Sequence, residues 1–148
     1  MPMRLLILLA AATAALVVAS APMAAEQAAP TLTVHSSGFG QVLFDGRGFV
    51  LYAFTKDPRG RSACGGACAK AWPPYVVRGA VRSGTGVKAS LLGTIRRSNG
   101  SRQVTYAGRP LYYYVGDKRP RQILCQNVSE FGGLWLIVRP SGKLVRGG

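Results

Sequence analysis

Two aromatic residues and one aspartate recur at a fixed spacing in two parts of the chain. The copies comprise Tyr52, Phe54 and Asp57 and, sixty positions later, Tyr112, Tyr114 and Asp117. On a strand, the two rings of each copy share one face because side chains alternate. The rings could line a groove for a sugar or a cationic ligand, with the carboxylates supplying polar contacts. In the alternative, which the regular repetition favours, the rings pack a sheet and the aspartates accept backbone N–H groups of turns.

The same residues provide little for catalysis. Paired carboxylates can hydrolyse glycosides at particular separations, but Asp57 and Asp117 each have a structural use at a turn. His35 is the only histidine, and the chain lacks the Gly-x-Ser-x-Gly turn that positions the nucleophile of many Ser-His-Asp hydrolases. Trp72, followed by two prolines, is expected to fix the chain against the core, with ligand stacking as the alternative. The sequence therefore favours a non-enzymatic function.

Three cysteines, Cys64, Cys68 and Cys125, are the other candidate reactive groups. Their spacing differs from the Cys-x-x-Cys of thioredoxins and the Cys-x-x-Cys-His of haem attachment sites. A zinc site would need the distant His35 as its fourth ligand, so we expect no metal and no cofactor. Three thiols allow one disulfide and one odd thiol. Loop entropy favours a long bridge to Cys125, worth about 4 kcal/mol against about 2 kcal/mol for a short one, whereas the two glycines between Cys64 and Cys68 favour the short bridge.

The charge of the chain is strongly positive. It carries 19 basic and five acidic residues among 148, a formal net charge of +14. Inside a cell this balance would point to nucleic acid. Residues 1–25, however, are typical of a secretory signal peptide, with a basic start, an apolar stretch and then small residues. After export, the expected partner is an anionic envelope polymer or a membrane surface rather than nucleic acid, with a solvated basic surface as the alternative.

The N-terminal segment sets the expected location. Its cleavage site stays open, and an uncleaved anchor is the alternative because the apolar stretch could just span a bilayer. No cysteine lies near it, so we expect no lipid anchor through an N-terminal cysteine. The protein is therefore expected to be secreted or held in the extracytoplasmic cell envelope. Residues 26–30 are expected to be a linker to one domain over residues 31–146.

This domain is predicted to be mainly β. Alternating apolar residues bounded by turn signals predict short strands, and Asp45–Gly46 and Asn99–Gly100 predict hairpin turns. One short helical turn is expected at Ala67–Ala71, near the first two cysteines, because two prolines follow it. Two degenerate hairpin-containing repeats, at about 40–77 and 91–140, would share one core, since neither half buries its apolar face alone.

These motifs together resemble a bacterial family of secreted repeats of unknown function, whose members are often predicted lipoproteins. The resemblance covers about residues 40–140. It rests on Gly48-x-x-Leu51-Tyr52-x-Phe54-x-x-Asp57, Cys64-x-x-x-Cys68, Trp72-Pro73-Pro74, Gly108-Arg109-Pro110-Leu111-Tyr112-x-Tyr114-x-x-Asp117 and Gly132-Gly133-x-Trp135. It implies a repeat fold and an envelope location, and no particular activity. The chain departs from the pattern in lacking the lipidation cysteine, in having Arg121 where the first repeat has Gly60, and in the additional Cys125.

The resemblance also favours one cysteine pairing. Cys64 and Cys68 belong to the shared motif and Cys125 does not, so we expect a Cys64–Cys68 disulfide with Cys125 as the odd thiol. We interpret the protein as a binding or structural domain with an anionic envelope polymer as its partner. The alternative is an envelope redox or small-ligand-binding protein that uses the cysteine loop.

Overall fold

The computed structural model describes residues 31–147; the predicted signal peptide, residues 1–25, and the predicted linker, residues 26–30, lie outside them. The described chain is mainly β, as predicted, with the short helix α1 (Ala67–Ala71) and a 3-10 helix at Ala89–Leu91. The strands are β1 (Leu32–Ser37), β2 (Gly40–Asp45), β3 (Tyr52–Phe54), β4 (Val76–Val77), β5 (Leu92–Arg96), β6 (Arg102–Tyr106), β7 (Arg109–Pro110), β8 (Val128–Glu130) and β9 (Gly133–Ile137).

Each repeat begins with an antiparallel hairpin; the first repeat contains β1 to β4 and the second contains β5 to β9. β1 pairs with β2 along its whole length, and β5 pairs with β6 in the same way. The turn between β5 and β6 contains Gly100 at φ +84°, a conformation that glycine adopts without steric cost. The Asn99–Gly100 signal therefore produces the predicted β5–β6 hairpin. Asp45–Gly46 turns the chain between β2 and β3, but only the isolated bridge of Phe44 with Val50 follows it, because β3 pairs with β9 instead.

The last strand of each repeat pairs with the other repeat. β4 lies beside β6, and Pro74, just before β4, forms an isolated bridge with Tyr112. β9 lies beside β3, with Trp135 opposite Phe54. Each repeat therefore needs the other to complete its backbone hydrogen bonds and to cover its apolar face. This exchange of final strands is the physical reason why two degenerate copies form one fold.

One strand of the second repeat carries no clear sequence signal. β8 pairs with β9 through a tight turn in which Phe131 and Gly132 have φ +55° and +84°. Its residues are exposed or half-buried, so no alternation of apolar and polar residues marks it. The pairing of β8 follows from the tight turn and from its neighbour β9.

The first motif strand is buried on both faces. Tyr52 and Phe54 belong to an aromatic-rich cluster, whereas Leu51 and Ala53 belong to a second, mostly aliphatic cluster. All four residues are at most 3% exposed. Burying a large apolar side chain stabilises a fold by about 1.5–3 kcal/mol, so this strand is a major contributor to stability.

Candidate functional site

Tyr52 and Tyr112 lie opposite each other at the centre of the molecule. They form an antiparallel bridge in which the backbone N–H of each donates to the carbonyl of the other, both at 2.9 Å. Both side chains are fully buried. The two repeats contact each other reciprocally at this point, so their equivalent residues can be compared directly.

Each of these tyrosines donates to the aspartate of the other repeat. The Tyr52 hydroxyl donates to Asp117 Oδ2 at 2.8 Å, and the Tyr112 hydroxyl donates to Asp57 Oδ2 at 2.7 Å. A buried hydrogen bond to a carboxylate contributes about 1.5–3 kcal/mol. The motif residues therefore fasten the two repeats to each other. The repetition in the sequence reveals these four residues but not which tyrosine meets which aspartate.

The second oxygen of each aspartate holds the loop that follows it. Asp57 Oδ1 accepts the N–H of Ala63 at 2.6 Å, and Asp117 Oδ1 accepts that of Leu124 at 3.0 Å. The aspartates do accept backbone N–H groups, as the structural alternative expects. The donors lie six and seven residues further along the chain, however, and not in the adjacent turn.

Burial changes the proton affinity of all four groups. It raises the pKa of the Asp57 and Asp117 carboxyl groups above their ordinary value of 3.8, although the hydrogen bonds that they accept offset part of the rise. Burial also raises the pKa of Tyr52 and Tyr112, and the neighbouring carboxylates add to that rise. The tyrosines therefore stay neutral at physiological pH and act as fixed hydrogen-bond donors.

The motif rings and both tryptophans form a column through the core. Trp72 stacks on Trp135 with ring centroids 4.0 Å apart and an interplanar angle of 4°. Phe54 stacks on the other face of Trp135 at 4.2 Å, and Tyr114 lies against Trp72 at 4.8 Å. Both tryptophans are fully buried, and Tyr114 is half-buried. The rings thus pack against one another, and Trp72 has no exposed surface to offer a ligand.

The cysteine loop contains the expected disulfide. Cys64 and Cys68 are joined with their Cα atoms 5.3 Å apart, and Cys125 is a free, half-buried thiol. Cys125 directly follows Leu124, as Cys64 directly follows Ala63, and both preceding N–H groups bind a motif aspartate. Cys125 is therefore the second repeat's counterpart of Cys64. Cys125, although additional to the family pattern, thus occupies in the second repeat the position that Cys64 occupies in the first.

Cys125 is a poorly ionised thiol. Burial raises its pKa above the ordinary value of 9.0, and the carboxylates of Asp117 and Glu130 add to the rise, while a hydrogen bond from Tyr114 opposes it. Because thiolates rather than thiols are nucleophiles, this cysteine is not activated for covalent chemistry at neutral pH.

A cleft lined with arginines, here called the arginine cleft, opens beside the disulfide. It has a volume of about 390 Å³ and lies between residues 61–65 and residues 96–98. Arg61 and Arg96 are exposed, and Arg97 is half-buried. Sequence reasoning missed this site because two distant segments contribute its arginines. A run of two arginines, Arg96 and Arg97, next to a hairpin turn was the one signal that could have indicated it.

Arg97 is fixed at the arginine cleft by three neutral acceptors. Its Nη1 donates to Ser62 Oγ at 2.9 Å and to Gln103 Oε1 at 2.7 Å. Its Nη2 donates to the carbonyl of Cys64 at 2.7 Å. Gln103 is fully buried and donates its own amide to the carbonyl of Leu111 at 2.8 Å, so its oxygen is left facing Arg97.

Ser62 connects the arginine cleft to the first motif aspartate. Its Oγ lies 2.7 Å from the Tyr112 hydroxyl. Because Tyr112 donates its one proton to Asp57, Ser62 is the donor of this bond. A continuous chain of hydrogen bonds therefore runs from Arg97 through Ser62 and Tyr112 to Asp57.

The remaining candidate residue, His35, lies away from the arginine cleft. Its ring meets Phe44 edge-on at 5.4 Å, and burial and the nearby Arg121 lower its pKa. Within residues 31–147, no group of three or more His, Cys, Asp and Glu side chains is arranged to hold a metal ion. In the same residues, no helix has the length and apolar character needed to cross a membrane.

Comparison with known proteins agrees with this twofold architecture. A family model described as a secreted repeat of unknown function matches residues 33–75 and 93–139. Each matched stretch contains one copy of the motif and one tryptophan of the aromatic column. No curated protein and no solved structure matches the chain.

Proposed function

The chain belongs to this family of secreted repeats of unknown function, and we propose that it is a non-enzymatic domain of the cell envelope that binds an anionic polymer there. Family membership supports a location outside the cytoplasm. The observation that carries the proposal is the charge of the surface, which favours a polyanion as the partner.

Basic side chains greatly outnumber acidic ones in the described part of the chain. Arg4 and Glu26 are the only charged residues outside residues 31–147, so this part carries 18 basic and four acidic side chains. Four carboxylates cannot neutralise 18 cations. A surface with such an excess attracts polyanions, and salt screens the attraction over a Debye length of about 8 Å at physiological ionic strength.

The four carboxylates are all engaged within the fold. Asp45 is almost fully buried and forms an ion pair with Arg47 at 3.1 Å. Glu130 accepts the indole N–H of Trp72 at 2.8 Å, and the two motif aspartates bind tyrosines and loop N–H groups as described above. The surface therefore has little negative charge with which to repel a polyanion.

A redox or small-ligand role of the Cys64–Cys68 loop has less support. Both cysteines of the disulfide are buried, and thiol–disulfide exchange requires access of an attacking thiolate to a sulfur. The third thiol, Cys125, has a raised pKa. None of the three cysteines combines exposure with thiolate character, the combination that marks reactive cysteines.

The proposal is tested by titrating the purified protein into fluorescently labelled polyphosphate and polygalacturonate, with neutral dextran as the control. We expect binding to the polyanions that weakens at least about tenfold between about 50 and 200 mM salt, because association releases counterions. No binding to dextran is expected. Absence of polyanion binding at low salt, or binding that salt does not weaken, would contradict the proposal.

A further inference from the structure

We infer that the arginine cleft is an oxyanion site that receives a phosphate or carboxylate group of the polymer. This inference rests on the proposed function and assigns it a place on the molecule. The other basic residues then supply long-range attraction, and the arginine cleft supplies the direct contacts.

The lining of the arginine cleft suits an oxyanion. Three arginines, Arg61, Arg96 and Arg97, meet there from two segments of the chain, and no acidic residue lies among residues 61–65 and 96–98. Guanidinium groups bind phosphate and carboxylate through pairs of parallel hydrogen bonds. A volume of about 390 Å³ accommodates the anionic group together with part of the adjoining polymer.

Arg97 is held ready to bind. Its contacts with Ser62, Gln103 and the Cys64 carbonyl use three of its five N–H groups, which leaves two for a further acceptor. Because these three acceptors are neutral, they orient the guanidinium without cancelling its charge. A side chain that is already ordered loses less conformational entropy when a ligand binds.

Asp57, the motif carboxylate nearest to Arg97, does not form an ion pair that neutralises it. The charge of Arg97 offsets part of the burial-driven rise in the pKa of Asp57, so the two groups sense each other. The Asp57 oxygens, however, accept bonds from Tyr112 and Ala63. The arginine cleft thus keeps an excess of positive charge after its nearest carboxylate has been counted.

The disulfide helps to position the acceptors that hold Arg97 in the arginine cleft. The Cys64 carbonyl, which accepts from Arg97, belongs to the ring that the Cys64–Cys68 bond closes. The Cys64 N–H donates to Ser62 Oγ at 3.2 Å. The ring therefore contains one of the three acceptors that hold Arg97 and is hydrogen-bonded to a second.

The test compares two double variants that remove equal charge from exposed positions. Arg61→Gln with Arg96→Gln changes the arginine cleft, and Arg119→Gln with Arg146→Gln changes two exposed arginines elsewhere. We expect the first variant to bind labelled polyphosphate or polygalacturonate at least about tenfold more weakly than wild type, since it loses charge-assisted hydrogen bonds. The control variant should lose less than about threefold, since it loses only screened long-range attraction. Melting temperatures confirm that both variants are folded.

The outcomes separate this inference from the proposed function. Equal losses in the two variants would overturn the assignment of the arginine cleft while leaving polyanion binding by the whole surface intact. A wild-type protein that binds neither polymer would overturn both. If the arginine cleft variant loses binding to only one polymer, the site is supported, and that polymer identifies its group as phosphate or carboxylate.

Discussion

The two repeats share their motif and differ in what surrounds it. In both, a tyrosine donates to the aspartate of the other repeat, and the aspartate holds the loop that follows. From Tyr112 the hydrogen bonds continue through Ser62 to Arg97 and the arginine cleft. The hydroxyl of Tyr52, by contrast, accepts the N–H of Cys125 at 3.4 Å, next to a free thiol.

This difference indicates a division of labour between core and loops. The aromatic column and the exchanged tyrosine–aspartate bonds are built from residues of both repeats. They therefore stabilise the fold as a whole. The loops after the aspartates share the N–H bond to the motif carboxylate and differ in their other contacts, since the Cys64 carbonyl accepts from Arg97 whereas the Cys125 N–H donates to Tyr52. Binding residues are commonly carried by loops on a rigid scaffold, and here the loop of the first repeat contributes Arg61 to the arginine cleft.

Truncating the aromatic column tests the core that both repeats share. We expect it to have the largest effect on the free energy of unfolding. Trp72→Ala and Trp135→Ala should each lower the free energy of unfolding by about 3–5 kcal/mol, because each removes a fully buried ring. Denaturant titrations followed by circular dichroism measure both losses. A loss below about 1 kcal/mol in either variant would show that the two repeats do not depend on the column equally.

Removing one tyrosine hydroxyl at a time separates stability from binding. Tyr52→Phe and Tyr112→Phe should each lower the free energy of unfolding by about 1.5–3 kcal/mol, because each leaves one oxygen of a motif carboxylate without its tyrosine donor. Only Tyr112→Phe also removes the hydroxyl that Ser62 contacts at 2.7 Å, so only this variant should bind polyphosphate more weakly. Equal binding by both variants would break the proposed link between the motif and the arginine cleft.

The cysteines offer a matched comparison between equivalent loops. Replacing Cys64 and Cys68 by alanine opens a ring of about five residues, a loss of about 2 kcal/mol in the loop-entropy account, and should also weaken polyphosphate binding. Cys125→Ala changes the counterpart position, where no bridge exists, and should cost less than about 1 kcal/mol. Retained polyphosphate binding in the double alanine variant would show that the disulfide does not position the arginine cleft.

Because of the motif aspartates, we expect the free energy of unfolding to depend on pH, with a smaller effect than those above. Their pKa values are raised in the fold, so the folded state binds their protons more tightly than the unfolded state does. Their contribution to stability is therefore greatest at low pH and is lost as the pH rises through the folded-state pKa. His35 acts oppositely, because its lowered pKa favours the unfolded state as the pH falls below about 6.5.

Carboxyl NMR titrations measure both motif aspartates in one sample. Arg97→Gln should raise the pKa of Asp57 further, since the charge of Arg97 lowers it, and should leave the pKa of Asp117 unchanged. Asp117→Asn provides the control for stability: the free energy of unfolding of wild type, relative to that of this variant, should decrease between about pH 4 and pH 7. An increase over that range would contradict a raised pKa of Asp117.

Local signals in the sequence predicted the features that depend on neighbouring residues. Asn99–Gly100 forms a hairpin turn because glycine adopts positive φ without cost, and α1 ends before two prolines that cannot continue it. The Cys64–Cys68 bridge joins residues only four positions apart. The predicted β class and the two repeats follow from the same kind of short-range pattern.

Features that depend on distant contacts were not predictable in this way. The exchange of β4 and β9, the tyrosine–aspartate partners and the arginine cleft all join residues that the sequence separates widely. The equivalence of Cys125 and Cys64 was hidden because the loop of the second repeat is one residue longer. Arg121 adopts φ +67° where Gly60 adopts +72°, and it keeps the same bond to a glycine carbonyl, which composition alone does not reveal.

The central claim is that the loop after Asp57 forms an anion site together with the β5–β6 hairpin of the other repeat, whereas the equivalent pair of segments forms none although both repeats share the core. Hydrogen exchange followed by mass spectrometry, with and without polyphosphate, tests it on the wild-type protein. With polyphosphate, we expect slower exchange in residues 61–65 and 96–98. We expect no change in the equivalent residues of the other repeat, which are 122–126 for the first segment and 36–38 for the second. Equal protection of both sets, or protection confined to the counterparts, would contradict the claim.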